Sequence, residues 1–441
     1  MVSTEKDIIF IGAGFACLSA ANKLKDLGLK NFLVLEKGHP LKKRFCPGSC
    51  NYSCSFCKVC HTVEGVGGAN ALNGNKFCYF PASQKIVERF DLNRIESVNV
   101  YLQNKLYPYF EKTLNFIDNR HKKEQDYFKK KYFSDAFYKG EFQMIVSMLL
   151  NPISDFLVSE CEVLSIRKEK SIFFLETSTG KTYKAKSVVL GTGRSSSNFM
   201  KNLFDSFNLS YQEQKQDIGI RIESDADSFT NEYFYQSDPK IKLNFPNLGQ
   251  GRTFCAHNNG IVVPVRFNNS FFADGAFSNT PTSRNNIAIM VRSNDRLPNI
   301  ALEHWCKSIN DLARNSLCLG DLILNSDFIH NLRTMIPSFP SAVHARLFEL
   351  TIEHLLMGKT PLLKRGSVVR IFAPAIDRQW LQPEVNLDFS LNKDNNIYVI
   401  GDAVGRSRGF IQALFSGVLC ANGLFEKEFS QKTKKICLSS V

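Results

Sequence analysis

The sequence predicts an α/β protein in which a discontinuous Rossmann-type nucleotide-binding domain carries an inserted mixed α/β substrate domain. Three observations indicate this fold. A strand–helix–strand pattern with a glycine-rich turn opens the chain, an apolar run ending in glycines follows near residue 190, and a strand, glycines and a helix return near residue 400. Because nucleotide-type signals stand at both ends of 441 residues, we expect one domain built from separate stretches.

The opening unit has the pattern of a dinucleotide-binding βαβ motif. The apolar run "DIIFIGAG" is followed by "FACLSAANKLKDLG", whose apolar residues have helical spacing, and then by "NFLVLEKG", a second apolar run. Gly12 permits the tight turn, and Gly14 lets a pyrophosphate approach the N-terminus of the helix. The third fingerprint position, normally Gly or Ala, is Cys17. Glu36 ends the second strand, where its carboxylate can accept hydrogen bonds from ribose hydroxyls.

Two later segments end in the same kind of turn. The run "SVVLGTG" predicts a buried strand that ends at Gly191 and Gly193, and "YVIGDAVG" predicts another that ends at Gly401 and Asp402. A helix pattern, "GFIQALFSGVLCANGL", follows the second of them. These segments resemble signatures of FAD-dependent oxidoreductases with a glutathione-reductase-like flavin domain.

That resemblance implies roles for the last motif. In those proteins the Asp of the Gly-Asp pair hydrogen-bonds the ribityl chain or a phosphate, and the matching residue here is Asp402. The next helix directs its N-terminus at the flavin pyrimidine ring, and the amides in that position belong to Gly409, Phe410 and Ile411. A helix N-terminus stabilises negative charge on the reduced ring. FAD is therefore the expected cofactor.

A cysteine-rich loop, "CPGSCNYSCSFCKVC" (46–60), is followed at once by "EGVGGANALNGNK". Together they resemble a little-characterised bacterial family of FAD-dependent dehydrogenases that has a Cys-Pro, a Cys-x-x-Cys-x-x-Cys and a Gly-x-Gly-Gly-Ala segment. The runs "DIGIRIE", "RTFC" and "GDAVGRSRGFIQALFSGV" resemble later blocks of that family, so the resemblance covers most of the chain. Asn73 stands where that family usually has Asp. We expect Gly67 and Gly68 to approach the cofactor.

The spacing within this loop suits a metal centre held by Cys46, Cys54, Cys57 and Cys60. Four thiolates can bind tetrahedral zinc or an iron–sulfur cluster, so we expect one of these centres near the flavin. The alternative is a dithiol relay at Cys57 and Cys60.

Candidate catalytic residues lie in "GRTFCAHNNG", which contains Arg252, Cys255 and His257. An arginine can bind an anionic substrate, and a histidine can move a proton. The alternative is that His257 is an ordinary loop residue.

Composition and charge limit the remaining function classes. The N-terminus lacks the features of a signal peptide, and no apolar run reaches the ~18 residues of a membrane span, so a cytoplasmic protein is expected. Thiols stay reduced there, which argues against a disulfide framework for the thirteen cysteines. The net charge of +13, partly concentrated in residues 119–133, favours an anionic partner such as RNA. The alternative for that stretch is a solvated helix face.

The expected function is a FAD-dependent oxidoreductase with a small-molecule substrate, and the alternative is a flavin-dependent RNA-modifying or RNA-binding protein.

Residues 299–360 have helical patterns. The predicted division of the chain is 1–86, 151–209 and 371–430 for the FAD-binding domain, 87–150 for a helical insertion, 210–370 for the substrate domain and 431–441 for a basic tail.

Overall fold

The computed structural model describes most of the chain. The described residues are 5–49, 53–55, 57–69, 71–72, 75–80, 82, 88–110, 134–137, 139–230, 239–267, 270–278, 280–314, 316–359, 361–377, 381–394, 396–406 and 408–439. Cys50, Asn73 and the basic stretch 119–133 lie outside them, so the expectations for these residues stay sequence-based predictions.

Strands and helices follow one another along the whole chain. The strands are β1 Lys6–Ile11, β2 Phe32–Leu35, β3 Asn75–Cys78, β4 Ser134–Phe137, β5 Leu157–Val158, β6 Val163–Glu169, β7 Ile172–Thr177, β8 Thr182–Leu190, β9 Tyr211–Glu213, β10 Asp217–Asp225, β11 Lys242–Phe245, β12 Gly249–His257, β13 Gly260–Phe267, β14 Ser270–Phe277, β15 Arg284–Ser293, β16 Cys318–Ile323, β17 Val368–Asp377, β18 Leu381–Pro383 and β19 Ile397–Val399. The α-helices are α1 Phe15–Asp26, α2 Leu92–Leu106, α3 Lys139–Leu150, α4 Ser197–Ser206, α5 Asn299–Leu312, α6 Phe328–Met335, α7 Ala342–Ile352 and α8 Phe410–Ser439.

The first sheet gathers strands that are far apart in the sequence. Its order is β5-β2-β1-β8-β7-β6, and the first four of these strands are parallel. Strand β8 pairs with β1 along one edge, and along the other with β7 at residues 182–185 and with β19 at residues 188–190. Parallel strands are usually covered on both faces, which explains the continuous apolar runs of β1, β2 and the end of β8. The turns that follow β1, β8 and β19 therefore lie at the same edge of the sheet.

Helix α8 packs closely along α1. A Cβ at Gly417 would lie 2.1 Å from the Ala16 carbonyl oxygen, and Ser19 Oγ donates a hydrogen bond to the Leu414 carbonyl oxygen over 3.1 Å. This close approach sets the ring of Phe410, the first residue of α8, 4.2 Å from the ring of Phe15. The beginnings of the two helices therefore lie together.

The second sheet is antiparallel and has its own core. Its order is β11-β12-β15-β10-β17-β16. Isoleucine and valine side chains of β10, β15 and β17 pack with Trp305 of α5 and Phe348 of α7. The hairpin β13–β14 lies beside this sheet.

These elements confirm the mixed α/β class and correct one local prediction. Residues 299–360 contain α5, α6 and α7, but also the strand β16. This strand joins the edge of the second sheet by pairing with β17, and tertiary pairing of this kind overrides local periodicity. Strand β17 includes residue 370, where a boundary is expected, and the domain boundaries stay predictions. None of the helices in the described part of the chain has the length and apolarity of a membrane span.

Candidate active site

Glycines from separate segments converge on the first turn of α1. Gly12 has a φ of 100°, and a Cβ there would lie 2.7 Å from the Gly191 carbonyl oxygen. The loop after the cysteines approaches from another side, since the Cβ position of Gly68 is 3.4 Å from Gly14 Cα and Gly67 N donates to the Ala13 carbonyl oxygen at 2.8 Å. The predicted glycine turns are therefore neighbours in space.

Space is left open in front of Gly14. This residue is the N-cap of α1 and has an ordinary φ of −75°, and a Cβ added to it would meet no heavy atom of the described residues within 4 Å. A Cβ added to Gly193, after β8, would likewise meet no heavy atom of the described residues within 4 Å. Because the first amides of a helix have no intrahelical acceptors, the opening at Gly14 presents backbone donors to an anion.

Cys17 fits the third fingerprint position because the residue that faces it is a glycine. A Cβ on Gly191 would lie 2.3 Å from Cys17 Sγ. The thiol is fully buried, its Sγ lies 3.8 Å from the Ile11 carbonyl oxygen, and burial raises its pKa. The larger side chain at position 17 is thus accommodated by the missing side chain at position 191.

We expect Gly191→Ala to lower the free energy of unfolding by about 1–3 kcal/mol, because the new methyl group would overpack against Cys17. The double variant Cys17→Ala/Gly191→Ala should recover most of this loss, since the Cβ of residue 17 lies 3.7 Å from the new methyl position. Urea unfolding of the two single variants and the double variant measures the coupling. Equal losses in Gly191→Ala and in the double variant would show that the two positions do not share this contact.

Glu36 is buried at the end of β2 and links the turn to the neighbouring loop. Its Oε2 accepts a hydrogen bond from Ala13 N at 2.7 Å. Its Oε1 accepts from Gly38 N at 2.8 Å and from Gly65 N at 3.0 Å. The carboxylate therefore connects the turn after β1 with the loop that carries Gly67 and Gly68, and its ribose-binding role stays a prediction.

The Arg44 side chain binds the backbone of the same loop. The guanidinium group is buried and donates, over 2.6–3.5 Å, to the carbonyl oxygens of His61, Thr62, Val66 and Gly68. Burial lowers the pKa of Arg44 to about 10. Sequence reasoning missed this residue because backbone carbonyls are its partners, and no residue type signals them.

The turn after β19 brings the predicted Gly-Asp pair to α1. The Cβ position of Gly401, whose φ is 64°, is 2.9 Å from Ala16 Cβ. Asp402 Oδ2 lies 3.6 Å from Arg194 Nε. Burial raises the pKa of Asp402, although Arg194 and Arg408 act in the opposite direction.

The beginning of α8 presents backbone to this region. The Phe410 ring packs against Phe15 and Phe77, and Ile411 is fully buried. Gly409 precedes them with a φ of 109°. Since these side chains belong to the core, contacts of this segment with a cofactor would be made by its amides, as the resemblance implies.

A network of arginines and buried aspartates joins the two sheets. Asp217 on β10 lies opposite Asp377 on β17, and both side chains are fully buried. Arg292 donates to both oxygens of Asp217 at 2.8 and 2.7 Å, and Arg252 contacts both aspartates. Arg408, which lies just before α8, pairs with Asp377. The network therefore ties the turn before α8 to the strands of the second sheet.

Arg194, in the turn after β8, connects this network to the predicted catalytic segment. Its Nη1 lies 3.7 Å from Asp377 Oδ1. Burial acts to lower the pKa of Arg194, but the neighbouring carboxylates of Asp402, Asp377 and Asp274 raise it. Lys76 Nζ lies 4.0 Å from Cys255 Sγ. Four side chains lie around the junction of the two sheets: Lys76, Arg194, Asp274 and Cys255. We call this group the intersheet site.

The three predicted catalytic residues are buried to different extents around the intersheet site. Cys255 has a φ of 49° and lies where the register of β12 shifts, an irregularity that can re-aim a side chain. Arg252 belongs to the ion network, next to the intersheet site. His257 is fully buried, with Nδ1 3.0 Å from the Cys255 carbonyl oxygen and its ring 4.8 Å from that of Phe277. Their catalytic roles stay predictions.

Arg221 holds the backbone of Cys255 in place. This fully buried side chain donates to the Cys255 carbonyl oxygen at 2.9 Å and to Asn286 Oδ1 at 2.7 Å, and its Nη2 lies 3.5 Å from Asp274 Oδ1. It therefore fixes the backbone that carries the thiol and the carboxylate that lies beside it.

The structure does not support the predicted zinc or iron–sulfur centre. Cys54 packs against a small apolar cluster that includes Phe271 and Phe372, whereas Cys60 is buried and its Sγ accepts from Arg266 N at 3.4 Å. Cys46 and Cys57 are half-buried thiols. Within the described ranges, no group of three or more His, Cys, Asp or Glu side chains is placed to bind a metal ion.

Comparisons with known proteins give distant structural similarities. No family model matches the chain, and no curated protein matches it. The structure is similar to tetracycline destructase Tet(51), with a TM-score of 0.42 and 12% identity over 96% of this chain and 83% of that one. It is also similar to p-nitrophenol 4-monooxygenase PnpA from Pseudomonas putida DLL-E4, with a TM-score of 0.38 and 11% identity over 96% of this chain and 79% of that one. At these TM-scores and identities, the function has to be inferred from the residues of the site.

Proposed function

We propose that the protein is a FAD-dependent oxidoreductase whose small-molecule substrate is bound at the intersheet site. The observation that carries this proposal is the convergence of Gly12, Gly68, Gly191 and Gly401 on the first turn of α1. It is supported by the open space, among the described residues, in front of Gly14. A structural turn would not need this opening at a helix N-terminus, whereas a bound pyrophosphate would.

We assign four parts of the cofactor to residues of this chain. The amides after Gly14 would bind the pyrophosphate. Glu36 would accept a hydrogen bond from a ribose hydroxyl in addition to those from its backbone donors, since both of its oxygens are acceptors. Asp402 would bind the ribityl chain, and the amides at the start of α8 would face the pyrimidine ring. FAD, when bound, supplies the hydride transfer, and the protein supplies position and charge.

The residues of the intersheet site would handle the substrate. Arg252 and Arg194 would orient it, because guanidinium groups are fixed donors for oxygen atoms. Cys255 and Lys76 would hold or move a proton, since each has a titratable group at the junction of the sheets. His257 would act through the Cys255 backbone, to which its ring is hydrogen-bonded.

Gly14→Ala tests the cofactor site. We expect FAD affinity to fall at least about tenfold, equivalent to ~1.4 kcal/mol, because the methyl group would occupy the space that the pyrophosphate needs. The apoprotein should keep a nearly unchanged melting temperature, since the described residues leave this space open and φ is ordinary. Titration of the apoprotein with FAD, followed by flavin fluorescence, measures the affinity.

Gly140→Ala is the matched control. A Cβ at Gly140 in α3 also meets no atom of the described residues within 4 Å, but this glycine is exposed and is not part of a glycine turn. Its FAD affinity should equal that of the unchanged protein. An unchanged affinity in Gly14→Ala would remove the first turn of α1 from the cofactor site.

Two sequence-based predictions are not part of this proposal. The metal centre lacks support from the placement of Cys46, Cys54, Cys57 and Cys60. The RNA alternative was based on the net charge of +13, and the basic stretch 119–133, where part of this charge is concentrated, lies outside the described residues.

A further inference from the structure

We propose that Lys76 and Cys255 form a reversible covalent bridge, Nζ–O–Sγ, when the protein is oxidised. The observation that carries this inference is the meeting of the two side chains from separate parts of the fold. Lys76 Nζ lies 4.0 Å from Cys255 Sγ, although 179 positions separate the two residues in the sequence. Lys76 belongs to β3, which pairs with β4, whereas Cys255 belongs to β12 of the second sheet. A bond between them would therefore lock β3 to the second sheet.

Both side chains are held in this arrangement. Cys255 lies at the register shift of β12 with a φ of 49°, and its carbonyl oxygen accepts a hydrogen bond from the fully buried Arg221 at 2.9 Å. Lys76 is only 7% exposed, which is an unusual degree of burial for a lysine. Its neighbour Phe77 packs against Phe410 with ring centroids 4.6 Å apart. Because a fixed backbone and a buried side chain leave few alternative rotamers, the nitrogen and the sulfur stay near each other.

The bridge balances with dioxygen as the oxidant. The neutral amine, the thiol and one O₂ give Nζ–O–Sγ and one water. The N–O and O–S bonds form, the O–O, S–H and one N–H bond break, and the two hydrogens leave with the second oxygen atom as water. Dioxygen is reduced, and the nitrogen and the sulfur are oxidised. The inserted oxygen spans the separation of 4.0 Å with less movement of the side chains than a direct N–S bond would require.

The bridge would act as a redox switch of the intersheet site, and this meaning rests on the proposed function. The amine and the thiol that would hold or move a proton are both consumed when the bridge forms. Cys255 is half-buried, so small oxidants and reductants can reach it. Two molecules of dithiothreitol would supply the four electrons and four protons that restore the amine and the thiol and release a second water. The oxidised protein is therefore the inactive form, and the reduced protein is the active one.

Mass spectrometry of tryptic peptides tests the bridge. Protein that has been reduced with dithiothreitol and desalted is kept either in air or without oxygen. Its free thiols are then alkylated with iodoacetamide, and it is digested without reductant. In the sample kept in air we expect a joined species, whose mass is the sum of the peptides that contain Lys76 and Cys255, plus one oxygen and minus two hydrogens. Trypsin should fail to cleave after the modified Lys76, and the joined species should be absent from the anaerobic sample and disappear with dithiothreitol.

Variants make the result specific. Lys76→Arg keeps a positive charge beside the thiol but removes the amine, and Cys255→Ser removes the sulfur, so each should abolish the joined species. Cys57→Ser is the matched control, since Cys57 is another half-buried thiol and the bridge should form without it. Circular dichroism establishes that each variant is folded.

Three outcomes would overturn the inference. The first is Cys255 oxidised to a sulfenic or sulfinic acid while trypsin still cleaves after Lys76. The second is Cys255 recovered fully alkylated after exposure to air. The third is a joined species that survives dithiothreitol, because a sulfinamide has the same mass as the bridge but is not reduced by thiols.

Cofactor loading separates this inference from the proposed function. The apoprotein and the FAD-loaded protein are both tested, and FAD binding is measured separately by absorbance. A bridge in either form supports the inference, and its absence from both overturns it while the FAD proposal stands. A bridge in protein that takes up no FAD would contradict the proposed function and leave the bridge in place.

Discussion

Asp377→Asn is expected to lower the free energy of unfolding by about 3–5 kcal/mol, because it removes one partner of a buried ion network and leaves the opposite charges uncompensated. The Asp377 carboxylate is fully buried and contacts Arg252 at 3.1 Å, Arg194 at 3.7 Å and Arg408. Urea unfolding followed by circular dichroism and by fluorescence measures the loss. Since Asp377 joins the turn before α8 to the second sheet, we also expect the junction between them to become more accessible to solvent in the variant.

An exposed ion pair gives the control for this prediction. Lys307 and Asp311 form an i,i+4 pair on α5 whose side chains are 71% and 62% exposed, so Asp311→Asn should cost less than ~1 kcal/mol. A loss that small in Asp377→Asn would show that the network does not support the fold.

The effect of Asp377 should depend on pH in a definite direction. Burial acts to raise the pKa of Asp377, but Arg408, Arg194 and Arg252 hold it below its usual value. A carboxyl with a lowered folded-state pKa stabilises the protein above its unfolded pKa of ~3.9, and this stabilisation is lost as the pH falls through the folded-state value. The difference between the unchanged protein and Asp377→Asn should therefore be full at neutral pH and shrink below about pH 4.

Glu36→Ala is expected to lower the free energy of unfolding of the apoprotein by about 3 kcal/mol or more, and to yield protein that purifies largely without flavin. The first effect arises because Ala13 N, Gly38 N and Gly65 N lose their buried acceptor, and an unsatisfied buried donor costs roughly 1–3 kcal/mol. The second follows because the turn and the loop that would surround the cofactor lose their crosslink. Urea unfolding and the flavin absorbance of the purified protein measure the two effects.

Glu36→Gln separates the structural role from the charge. The amide oxygen can still accept from Gly38 N and Gly65 N, but the amide nitrogen would face Ala13 N, so an intermediate loss of stability is expected. Flavin content should fall more than stability, because the anionic acceptor for the ribose is gone. If Glu36→Ala had the stability and flavin content of the unchanged protein, both roles of the residue would be wrong.

The nucleotide turn could be predicted because its signals are local. The pattern "DIIFIGAG" gave β1 and the turn after it, and "FACLSAANKLKDLG" gave α1, since buried parallel strands and amphipathic helices have distinct periods. The two later glycine turns were found in the same way, at the ends of β8 and β19. Cys17 departs from the fingerprint and is accommodated because Gly191 faces it, and this contact could not be predicted from the sequence.

The ion network could not be predicted because its partners are distant in the sequence. Along the chain, Asp217 and Asp377 are separated by the strands β11 to β16, and only the register of β10 with β17 brings them together. No pattern in the sequence pairs Asp377 with its arginine partners, which come from β12, the turn after β8 and the segment before α8. For the cysteines the opposite holds, since a suggestive spacing in the chain did not lead to convergence among the described thiols.

The visible absorption spectrum of the purified protein, with the released chromophore identified after denaturation, tests FAD binding most directly. We expect the bands of an oxidised flavin and a release of FAD stoichiometric with the chain. A colourless protein that also takes up no FAD on incubation, although correctly folded by circular dichroism, would contradict the proposal.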